Sequence, residues 1–300
     1  MDSKSIAYMN IAMIKYWCKN KYDPYLKPLV SSISLLSKKF YTETKIEKNS
    51  SDIFILNGKI QNEEETKKIF SFVNKIVPKR EKIKIVSKNT MPTAAGLASS
   101  ASAYCALTKE LNRYFNLNFN KEKIAKVASI GSGSASRSLY NICAFTKYGD
   151  IYEIKSKLNL AMFVILISKD KKKISSRLAM QRCKETSPLI GTWMKNNEIY
   201  FKNAKRALKN NDFNTLGENM EKSTELMHLT MKTASPSFTY LNEESEKAIE
   251  YVKKVRENRG IEIYYTTDAG PNVKVLFQEK DRKKVYDILE KQFGKRIVEC

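Results

Sequence analysis

One run of small residues, NTMPTAAGLASSAS at positions 89–102, constrains the fold of this chain more than any other stretch. It follows a segment in which Ile83 and Ile85 alternate with lysines, and it precedes apolar residues at helical spacing from Tyr104 to Phe115. The run therefore predicts a strand-to-helix turn. Gly96 permits backbone conformations that are closed to other residues, and the neighbouring alanines let a ligand approach the main chain.

This predicted turn has the properties of a phosphate-binding site. Ser99, Ser100 and Ser102 supply hydroxyls where a helix leaves its first amides unpaired and presents the positive end of its dipole. Such helix starts bind phosphate groups. The run is not a Walker A loop, because the required Gly-Lys-Ser/Thr ending is absent. Taken alone, it also fits a serine-capped, alanine-rich helix start that only packs tightly against a neighbour.

The length and composition indicate a two-domain globular protein. The chain has 300 residues, of which 42% are hydrophobic, so it can bury a large core. Its apolar runs are all shorter than the roughly 20 residues that span a bilayer. The amino terminus lacks the ordered pattern of a secretory signal, so we expect a cytoplasmic protein with no membrane partner.

The net charge of +22 raises the question of nucleic-acid binding. Lysines and arginines are scattered along the chain, and the densest run is only KKK at 171–173. This distribution favours a solvated basic surface over a dedicated nucleic-acid interface. A basic RNA-binding protein on an α+β fold remains the alternative from a different functional class, and a salt series in a filter-binding assay would identify it.

The cysteines and the single histidine exclude several kinds of site. The five cysteines are spread singly, with no C-x-x-C pair, and are expected to be reduced thiols rather than a disulfide frame or a zinc site. His228 is the sole histidine and is expected to be an ordinary, partly buried one. Any catalysis is therefore not histidine chemistry.

Strand and helix patterns alternate through the first half. We expect strands at 10–19 and 40–47, a hairpin at 53–60 that turns at Asn57-Gly58, and helices at 63–77 and 121–130. Lys15, Tyr16 and Lys19, at the end of the first strand, can bind an anion that carries more than one phosphate. Taken alone, however, this stretch favours solvated lysines at a strand end.

A second polar loop, GSGSASRSLY at 131–140, follows the helix at 121–130. Its glycines loosen the backbone, and its serines supply hydroxyls. Arg137 supplies a planar guanidinium whose paired N–H donors suit a carboxylate or a phosphate. A flexible linker rarely carries a lone arginine among serines between a helix and an apolar segment. We therefore interpret it as a ligand loop.

The second half begins near an apolar run at 160–168 and is mostly helical from 174 to 258. It then reads as strand, turn, strand, with Asp268 at the bend of TDAGPN, and it ends with a helix at 280–291 and a short strand near 296–299. On local grounds, Asp268 is a residue that caps backbone amides at a turn.

Six segments together resemble the diphosphomevalonate decarboxylases of the GHMP kinase superfamily: NIAMIKYWCK, PTAAGLASSAS, GSGSASRSLY, SSRLAM, SPSFTYL and TDAGPNVKVL. The similarity runs from about residue 5 to about residue 280. It implies an α+β fold with an N-terminal GHMP kinase domain at 1–157, a ferredoxin-like C-terminal domain at 158–300, and ligands between them. It also implies ATP-dependent decarboxylation of mevalonate 5-diphosphate to isopentenyl diphosphate, with ATP and magnesium as cofactors and commonly a homodimer, without nucleic acid.

The resemblance also assigns roles to residues of this chain. Asp268 matches the proposed catalytic base, Arg137 the arginine on the substrate carboxylate, Asn10 an asparagine that orients this arginine, and Ser100 a serine near the transferred phosphoryl group. The residues that match contacts to the substrate diphosphate are Tyr16, Lys19, Ser132, Gly133, Ser134, Ser176 and Arg177. The residues that match the ATP-binding loop are Pro92, Ala94, Ala95, Gly96, Leu97, Ala98, Ser99 and Ser100. No protein metal cage is visible, so no metal ligand is assigned.

Two departures from the family pattern place side chains where bare backbone is usual. Cys18 stands where a glycine normally follows the IKYW run, and Asn141, Ile142 and Cys143 replace a Gly-Gly-aromatic sequence. We expect them to crowd the cleft or to alter loop mobility. The alternative within the superfamily is a kinase or decarboxylase that acts on mevalonate or its monophosphate.

Overall fold

Two β-sheets, one from each half of the chain, organise the computed structural model, which describes residues 3–19, 23, 27–90, 99–168 and 174–300. The first half forms β1 (Ser5–Ile14), β2 (Ser32–Lys48), β3 (Ile53–Leu56), β4 (Lys59–Ile60), α1 (Glu63–Ile76), β5 (Ile83–Asn89), α2 (Ser99–Tyr114), α3 (Lys121–Gly131), a 3-10 helix (Gly133–Arg137), β6 (Ile142–Phe145) and β7 (Ile151–Glu153). The second half forms β8 (Leu160–Ile165), α4 (Ser176–Thr186), α5 (Ile190–Asn210), α6 (Phe213–Lys232), α7 (Glu243–Arg259), β9 (Tyr264–Thr267), β10 (Val273–Gln278), α8 (Arg282–Phe293) and β11 (Ile297–Glu299).

The first sheet is built around β2. Its strand order is β4-β3-β5-β2-β6-β7, and β1 pairs with β2 outside this path. Along β2 from Phe40 to Glu47, buried residues alternate with partly exposed ones, as expected for a strand with helices on one face. The predicted hairpin is confirmed, since Asn57 and Gly58 have φ of 51° and 77°, the region that two-residue hairpin turns require.

The second sheet has the topology of a ferredoxin-like unit, as the resemblance implied. Its order is β11-β8-β10-β9, and every neighbouring pair is antiparallel. Numbered along the chain, these four strands lie in the order 4-1-3-2 of a βαββαβ motif. Helices α7 and α8 cover one face of this sheet through Ala248, Val252, Val285 and Leu289.

The other face of the second sheet shares its core with the first sheet. Met9 and Ile11 of β1 belong to the same buried cluster as Met162 and Val164 of β8, together with residues of α5 and α6. A continuous core of this kind holds the two sheets in a fixed relation. The cavity described below lies where the two halves meet.

The first strand differs from the prediction in its limits. The expected strand at 10–19 runs instead from Ser5 to Ile14. Its pairing with β2 shifts register between Tyr8 and Asn10 and again between Ala12 and Ile14, and such irregularities bend a strand. Lys15 then leaves the sheet, because its backbone N–H donates to Ser223 Oγ of α6 at 3.0 Å.

Two further properties concern the described residues as a whole. Within those ranges, no helix combines the length and apolar character needed to cross a bilayer. All five cysteines are buried and free, in agreement with the prediction of reduced thiols.

Candidate active site

A cavity of about 530 Å³ lies where the ends of several elements converge. These are the carboxyl end of β1, the start of α2, the 3-10 helix, the start of α4 and the turn between β9 and β10. Its walls hold eleven of the residues singled out from the sequence: Asn10, Tyr16, Lys19, Ser100, Ser132, Gly133, Ser134, Arg137, Ser176, Arg177 and Asp268. Residues as far apart in the chain as Asn10 and Asp268 therefore share one space.

Part of the predicted ATP-binding loop lies outside the described residues. This concerns Pro92, Ala94, Ala95, Gly96, Leu97 and Ala98. The loop leads into α2, whose first two residues are Ser99 and Ser100. Ser100 Oγ lies 3.4 Å from Ser132 Oγ of the second serine loop, so the starts of the two predicted phosphate-binding segments adjoin.

Asp268 is held by two buried lysines, so the interpretation of it as a residue that caps turn amides is wrong. Its Oδ1 accepts a hydrogen bond from Lys15 Nζ at 2.8 Å, and its Oδ2 lies 3.2 Å from Lys274 Nζ. Both lysine side chains are 1% exposed, whereas the Asp268 side chain is 32% exposed. The carboxylate is thus fixed on one side and open to the cavity on the other.

The charges in this cluster shift the pKa of Asp268 and of Lys15. Burial alone raises the pKa of Asp268, but Lys15 and Lys274 together outweigh burial and hold that pKa well below its usual range. Burial is the larger influence on Lys15 and lowers its pKa to about 8, although Asp268 acts in the opposite direction. At neutral pH the cluster therefore carries one carboxylate against two lysines.

Arg137 is a buried cation without an acidic partner among the described residues. Arg137 is 3% exposed, and its Nη1 donates to Ser32 Oγ at 3.0 Å. Its Nε has no hydrogen-bond partner among the described residues. Its guanidinium carbon lies 5.2 Å from the centre of the Tyr16 ring, which partly stabilises the charge. Burial lowers the pKa of Arg137. A buried arginine in this state is suited to binding an anionic group in the cavity.

Tyr16 is packed between the arginine and the glycine of the serine loop. Its ring stacks on Phe145 with centroids 6.1 Å apart. A Cβ added at Gly133 would lie 2.0 Å from Tyr16 Oη, so only glycine allows the loop to approach so closely. Burial raises the pKa of Tyr16, and the phenol consequently remains a hydrogen-bond donor.

Asn10 contacts the chain on both sides of Arg137. Its Nδ2 donates to Ser134 O at 3.0 Å and to Ser138 Oγ at 2.8 Å. Its Oδ1 is buried and has no partner among the described residues. Asn10 thus braces the loop that carries the arginine, and it leaves one acceptor available.

Lys19 and Arg177 form a cationic wall of the cavity. Lys19 is partly buried, and burial followed by the nearby Arg177 lowers its pKa. Arg177 lies in the first turn of α4, which contains no acidic residue and is capped by Ser175 Oγ accepting from Leu178 N at 3.3 Å. Two like charges beside a helix start form a site for a polyanion.

The segment after β1 is positioned by polar groups that the sequence did not reveal. Asn197 Nδ2 donates to Ser31 O at 3.0 Å, and Ser223 Oγ donates to Asn197 Oδ1 at 2.7 Å while accepting from Lys15 N. Both residues are fully buried. They lie on α5 and α6 without a local motif, so only the packing of these helices identifies them.

His228 is fully buried rather than partly buried. Its Nε2 lies 2.7 Å from Thr267 Oγ1, and burial lowers its pKa to about 3. The histidine is therefore neutral at physiological pH. It does not line the cavity.

Cys18, the residue that replaces the usual glycine, has a left-handed backbone with φ of 64°. Its side chain is 0% exposed and its Sγ lies 3.3 Å from Met180 O of α4. It does not line the cavity, and neither do Asn141, Ile142 and Cys143, so these side chains do not crowd it. Ile142 and Cys143 are instead buried in the cores beneath β6.

The backbone at Cys18 supports a prediction on stability. A left-handed residue with a side chain carries about 1–2 kcal/mol of strain that glycine lacks. Both Cys18→Ala and Cys18→Gly lose the thiol, but only the second relieves the strain. Cys18→Gly is therefore expected to be more stable than Cys18→Ala by about 1 kcal/mol in urea unfolding. Equal stability of the two variants would contradict the strain.

The comparisons with known proteins cover nearly the whole chain. A family model for the "Diphosphomevalonate decarboxylase-like N-terminal domain" matches residues 7–154, and one for the "Mevalonate 5-diphosphate decarboxylase C-terminal domain" matches residues 162–299. The diphosphomevalonate decarboxylase of Debaryomyces hansenii is 31% identical, with 98% of this chain and 84% of the relative covered.

Solved structures agree with these matches. The mevalonate diphosphate decarboxylase of Staphylococcus aureus superposes with a TM-score of 0.93 at 37% identity, covering 99% of this chain and 94% of the other. A structure described as "MDDEF in complex with MVAPP, AMPPCP and Magnesium" superposes with a TM-score of 0.92 at 38% identity, covering 99% and 95%. On its fold, its cavity and these matches, the chain belongs to the diphosphomevalonate decarboxylase family.

Proposed function

We propose that this protein catalyses the ATP-dependent decarboxylation of mevalonate 5-diphosphate to isopentenyl diphosphate, with ADP, phosphate and carbon dioxide as the other products. The family membership supports this activity, as does the similarity to a structure described as containing MVAPP, AMPPCP and magnesium. The observation that carries the proposal is that Arg137, buried and without an acidic partner among the described residues, shares a cavity with the ionised Asp268.

Arg137 would bind the carboxylate of the substrate. A guanidinium offers two parallel N–H groups to a carboxylate, and its Nε is free of other partners among the described residues. This contact holds the carboxylate ionised and oriented while the tertiary carbon develops positive charge. A protonated carboxyl group could not release its electrons as carbon dioxide leaves.

Asp268 would act on the tertiary hydroxyl. In the first step its carboxylate orients the hydroxyl and takes its proton as the γ-phosphoryl group of ATP is transferred to the oxygen. In the second step the carbon–oxygen bond breaks, phosphate departs with the bonding electrons, and the carbon–carboxylate electrons form the double bond. Asp268 faces the cavity, and Lys15 and Lys274 keep its carboxylate ionised, so it can accept a hydrogen bond from the tertiary hydroxyl and orient it.

The diphosphate end of the substrate would lie against the cationic wall. Tyr16 and Lys19 follow β1, Ser176 and Arg177 begin α4, and the serine loop supplies the third side through Ser132, Gly133 and Ser134. Amide, hydroxyl and cationic donors converge there without an acidic residue in the first turn of α4. That donor set is suited to a group with several negative charges.

ATP and magnesium would lie against the start of α2, where Ser100 adjoins the serine loop. The first turn of α2 carries no acidic residue, and its Ser100 hydroxyl borders the cavity, so it suits the terminal phosphates. No cluster of three or more acidic, histidine or cysteine ligands occurs in the described ranges. A magnesium ion would accordingly take most of its ligands from ATP phosphates and water, with Ser100 as a protein ligand, and would neutralise phosphate charge. The remaining nucleotide contacts are assigned to the 92–99 segment.

Three broader features complete the proposal. The domain limits would be 1–157 and 158–300, with β8 opening the second domain. The protein would work in the cytoplasm, since the sequence has no pattern of a secretory signal, and as a homodimer, since the family resemblance implies one. Light scattering on the purified protein tests the dimer, because a mass near the 34.5 kDa of a single chain would overturn it.

The activity is tested by supplying ATP and mevalonate 5-diphosphate labelled at the carboxyl carbon. Equal amounts of ADP and labelled carbon dioxide are expected. ADP without carbon dioxide would favour the alternative of a GHMP-family kinase, and turnover confined to mevalonate or its monophosphate would replace the diphosphate as substrate. ADP formation in the absence of mevalonate 5-diphosphate serves as the background.

Gly133 provides a prediction on substrate binding. In Gly133→Ala, the new methyl group would lie 2.0 Å from Tyr16 Oη, so the tyrosine or the loop must move. Overpacking of this kind costs about 1–3 kcal/mol, which corresponds to a rise in KM for the diphosphate substrate of roughly 5- to 150-fold. Steady-state kinetics measure it.

Gly191→Ala is the matched control for this change. Gly191 lies in α5 with nothing within 4 Å of an added Cβ, so this variant should keep the original KM. A Gly133→Ala enzyme with unchanged KM would remove the Tyr16–Gly133 contact from the substrate site.

A further inference from the structure

Lys274 is a charged residue in a position where a strand normally carries an apolar one. It lies in β10, between β8 and β9, with Val164 and Thr266 as its direct neighbours across the sheet. The same face of β10 presents Leu276 to the core that the two sheets share. Lys274 is 1% exposed, and an isolated buried ammonium group is strongly unfavourable.

The ammonium group of Lys274 forms an ion pair with Asp268. Its Nζ lies 3.2 Å from Asp268 Oδ2 and donates to Asn272 O at 3.2 Å. Lys15 Nζ takes the other carboxylate oxygen at 2.8 Å and also donates to Ala12 O at 3.0 Å. Each lysine thus holds one oxygen and is itself anchored to a backbone carbonyl.

The two lysines differ in their access to ligand. Lys15 borders the cavity, whereas Lys274 does not. One contact at Oδ1 would leave the carboxylate free to rotate about its Cβ–Cγ bond. A second contact at Oδ2 fixes its plane, and a fixed plane is what aims the remaining lone pairs at a bound hydroxyl.

We propose that Lys274 is a positioning residue that fixes the plane of the Asp268 carboxylate without touching substrate. This inference rests on the proposed function, in which Asp268 acts on the tertiary hydroxyl. Because removing a cation next to a carboxylate raises its pKa, the contact also has an electrostatic signature that simple packing would lack. The groups whose charge bears on Asp268 or on this cluster are Lys15 after β1, Lys274 on β10, Arg137 on the 3-10 helix, His228 on α6 and Cys300 at the carboxyl terminus.

The test uses Lys274→Met, which keeps the length and removes the charge, and Lys274→Gln, which keeps a donor but no charge. In both, kcat should fall by about 10- to 100-fold, while KM for the diphosphate substrate and for ATP changes by less than about threefold. Lys254→Met is the matched control, since Lys254 is 62% exposed on α7 and pairs with Glu250 one turn away. It should leave kcat and KM unchanged.

A titration that needs no turnover accompanies the kinetics. In protein labelled with 13C at the aspartate carboxyl carbons, the resonance lost in Asp268→Asn identifies Asp268. Its midpoint should move upward by about 1–3 pH units in the Lys274 variants. If Lys274→Met does not fold, the kinetics and the Asp268 titration of Lys274→Gln test the positioning role.

The outcomes separate two failures. A folded Lys274 variant with unchanged kcat, or with an unshifted Asp268 midpoint, overturns the positioning role. If the Asp268 midpoint shifts in the Lys274 variants but the wild-type enzyme releases no carbon dioxide, the proposed function is overturned instead, and with it any catalytic meaning of the Lys274 contact.

Discussion

Asp268→Asn is expected to lower kcat by about 10²- to 10⁴-fold while leaving the binding of mevalonate 5-diphosphate largely intact. The amide has the shape of the carboxylate but cannot accept the hydroxyl proton. Asp268 is one of several groups around the cavity, whereas the proposed diphosphate contacts come from other elements, so affinity should depend on Asp268 less than turnover does. Single-turnover measurements of carbon dioxide release, together with equilibrium binding of the substrate, check both parts.

The same substitution has a cost in stability. It leaves Lys15 and Lys274 buried without their counter-ion. Breaking a fully buried pair costs about 3–5 kcal/mol, and the exposure of Asp268 to the cavity reduces this to roughly 1–3 kcal/mol. Asp287→Asn is the control, because Asp287 pairs with Lys283 on the surface of α8. A folded Asp268→Asn enzyme with near-normal turnover would remove Asp268 from the proton-accepting role.

The pH dependence follows from the direction of the two shifts. The folded-state pKa of Asp268 is lowered, so its stabilising contribution is complete above the unfolded value near 4 and is lost as pH falls below it. The pKa of Lys15 in the folded protein is about 8, so Lys15 loses its positive charge, and Asp268 one of its two cationic partners, as pH rises through that value. The profile of kcat/KM, which reports the free enzyme, should therefore decline above about pH 8, and Lys15→Met should abolish that limb.

Arg137→Met is expected to lower the rate of decarboxylation by roughly 30- to 5,000-fold and, at the same time, to raise the thermal stability of the ligand-free protein. The activity loss follows because truncating one side of a buried charge contact costs about 2–5 kcal/mol, or roughly 30- to 5,000-fold. The stability gain follows because Arg137 is buried with no carboxylate partner among the described residues. Replacing such a charge by an apolar side chain of similar length should gain about 1–3 kcal/mol.

Arg80 offers the opposite case within the same protein. Its side chain is 4% exposed, and its two Nη atoms donate to Asp52 Oδ1 and Oδ2 at 2.8 and 3.0 Å. Arg80→Met should therefore lower the melting temperature and leave activity intact. Arg137→Lys should also lose most activity, because an ammonium group cannot reproduce the two-pronged contact. A lower melting temperature for Arg137→Met would show that the free enzyme satisfies this arginine in another way.

The residues needed for the site were recognisable in the sequence wherever a short motif carried them. The serine loop with Arg137, the TDAGPN turn and the SSR sequence at the start of α4 all lie on the cavity. A loop or turn exposes its polar residues locally, so the pattern can be read without knowing the fold. By contrast, Asn197 and Ser223 lie among helical residues with no local signal, and their role depends on which side of α5 and α6 faces β1.

The contacts of the Asp268 side chain differ from those that the local sequence predicted. Turn chemistry alone predicted a residue that caps backbone amides, but the side chain pairs with two lysines from opposite ends of the chain. In the sequence, Lys274 is a lysine inside the otherwise apolar VKVLF segment, and nothing there indicates that it pairs with Asp268.

The order and type of the elements and the chemistry of the loops were determined by the sequence itself, because periodicity, glycine, proline and serine act over a few residues. Only the tertiary structure decided which charges meet, because ion pairs such as Lys15–Asp268 join positions 253 residues apart and depend on two sheets sharing one core. It likewise decided that Arg137 is left without an acidic partner among the described residues. Burial, which no local pattern specifies, makes that cation suited to binding an anion.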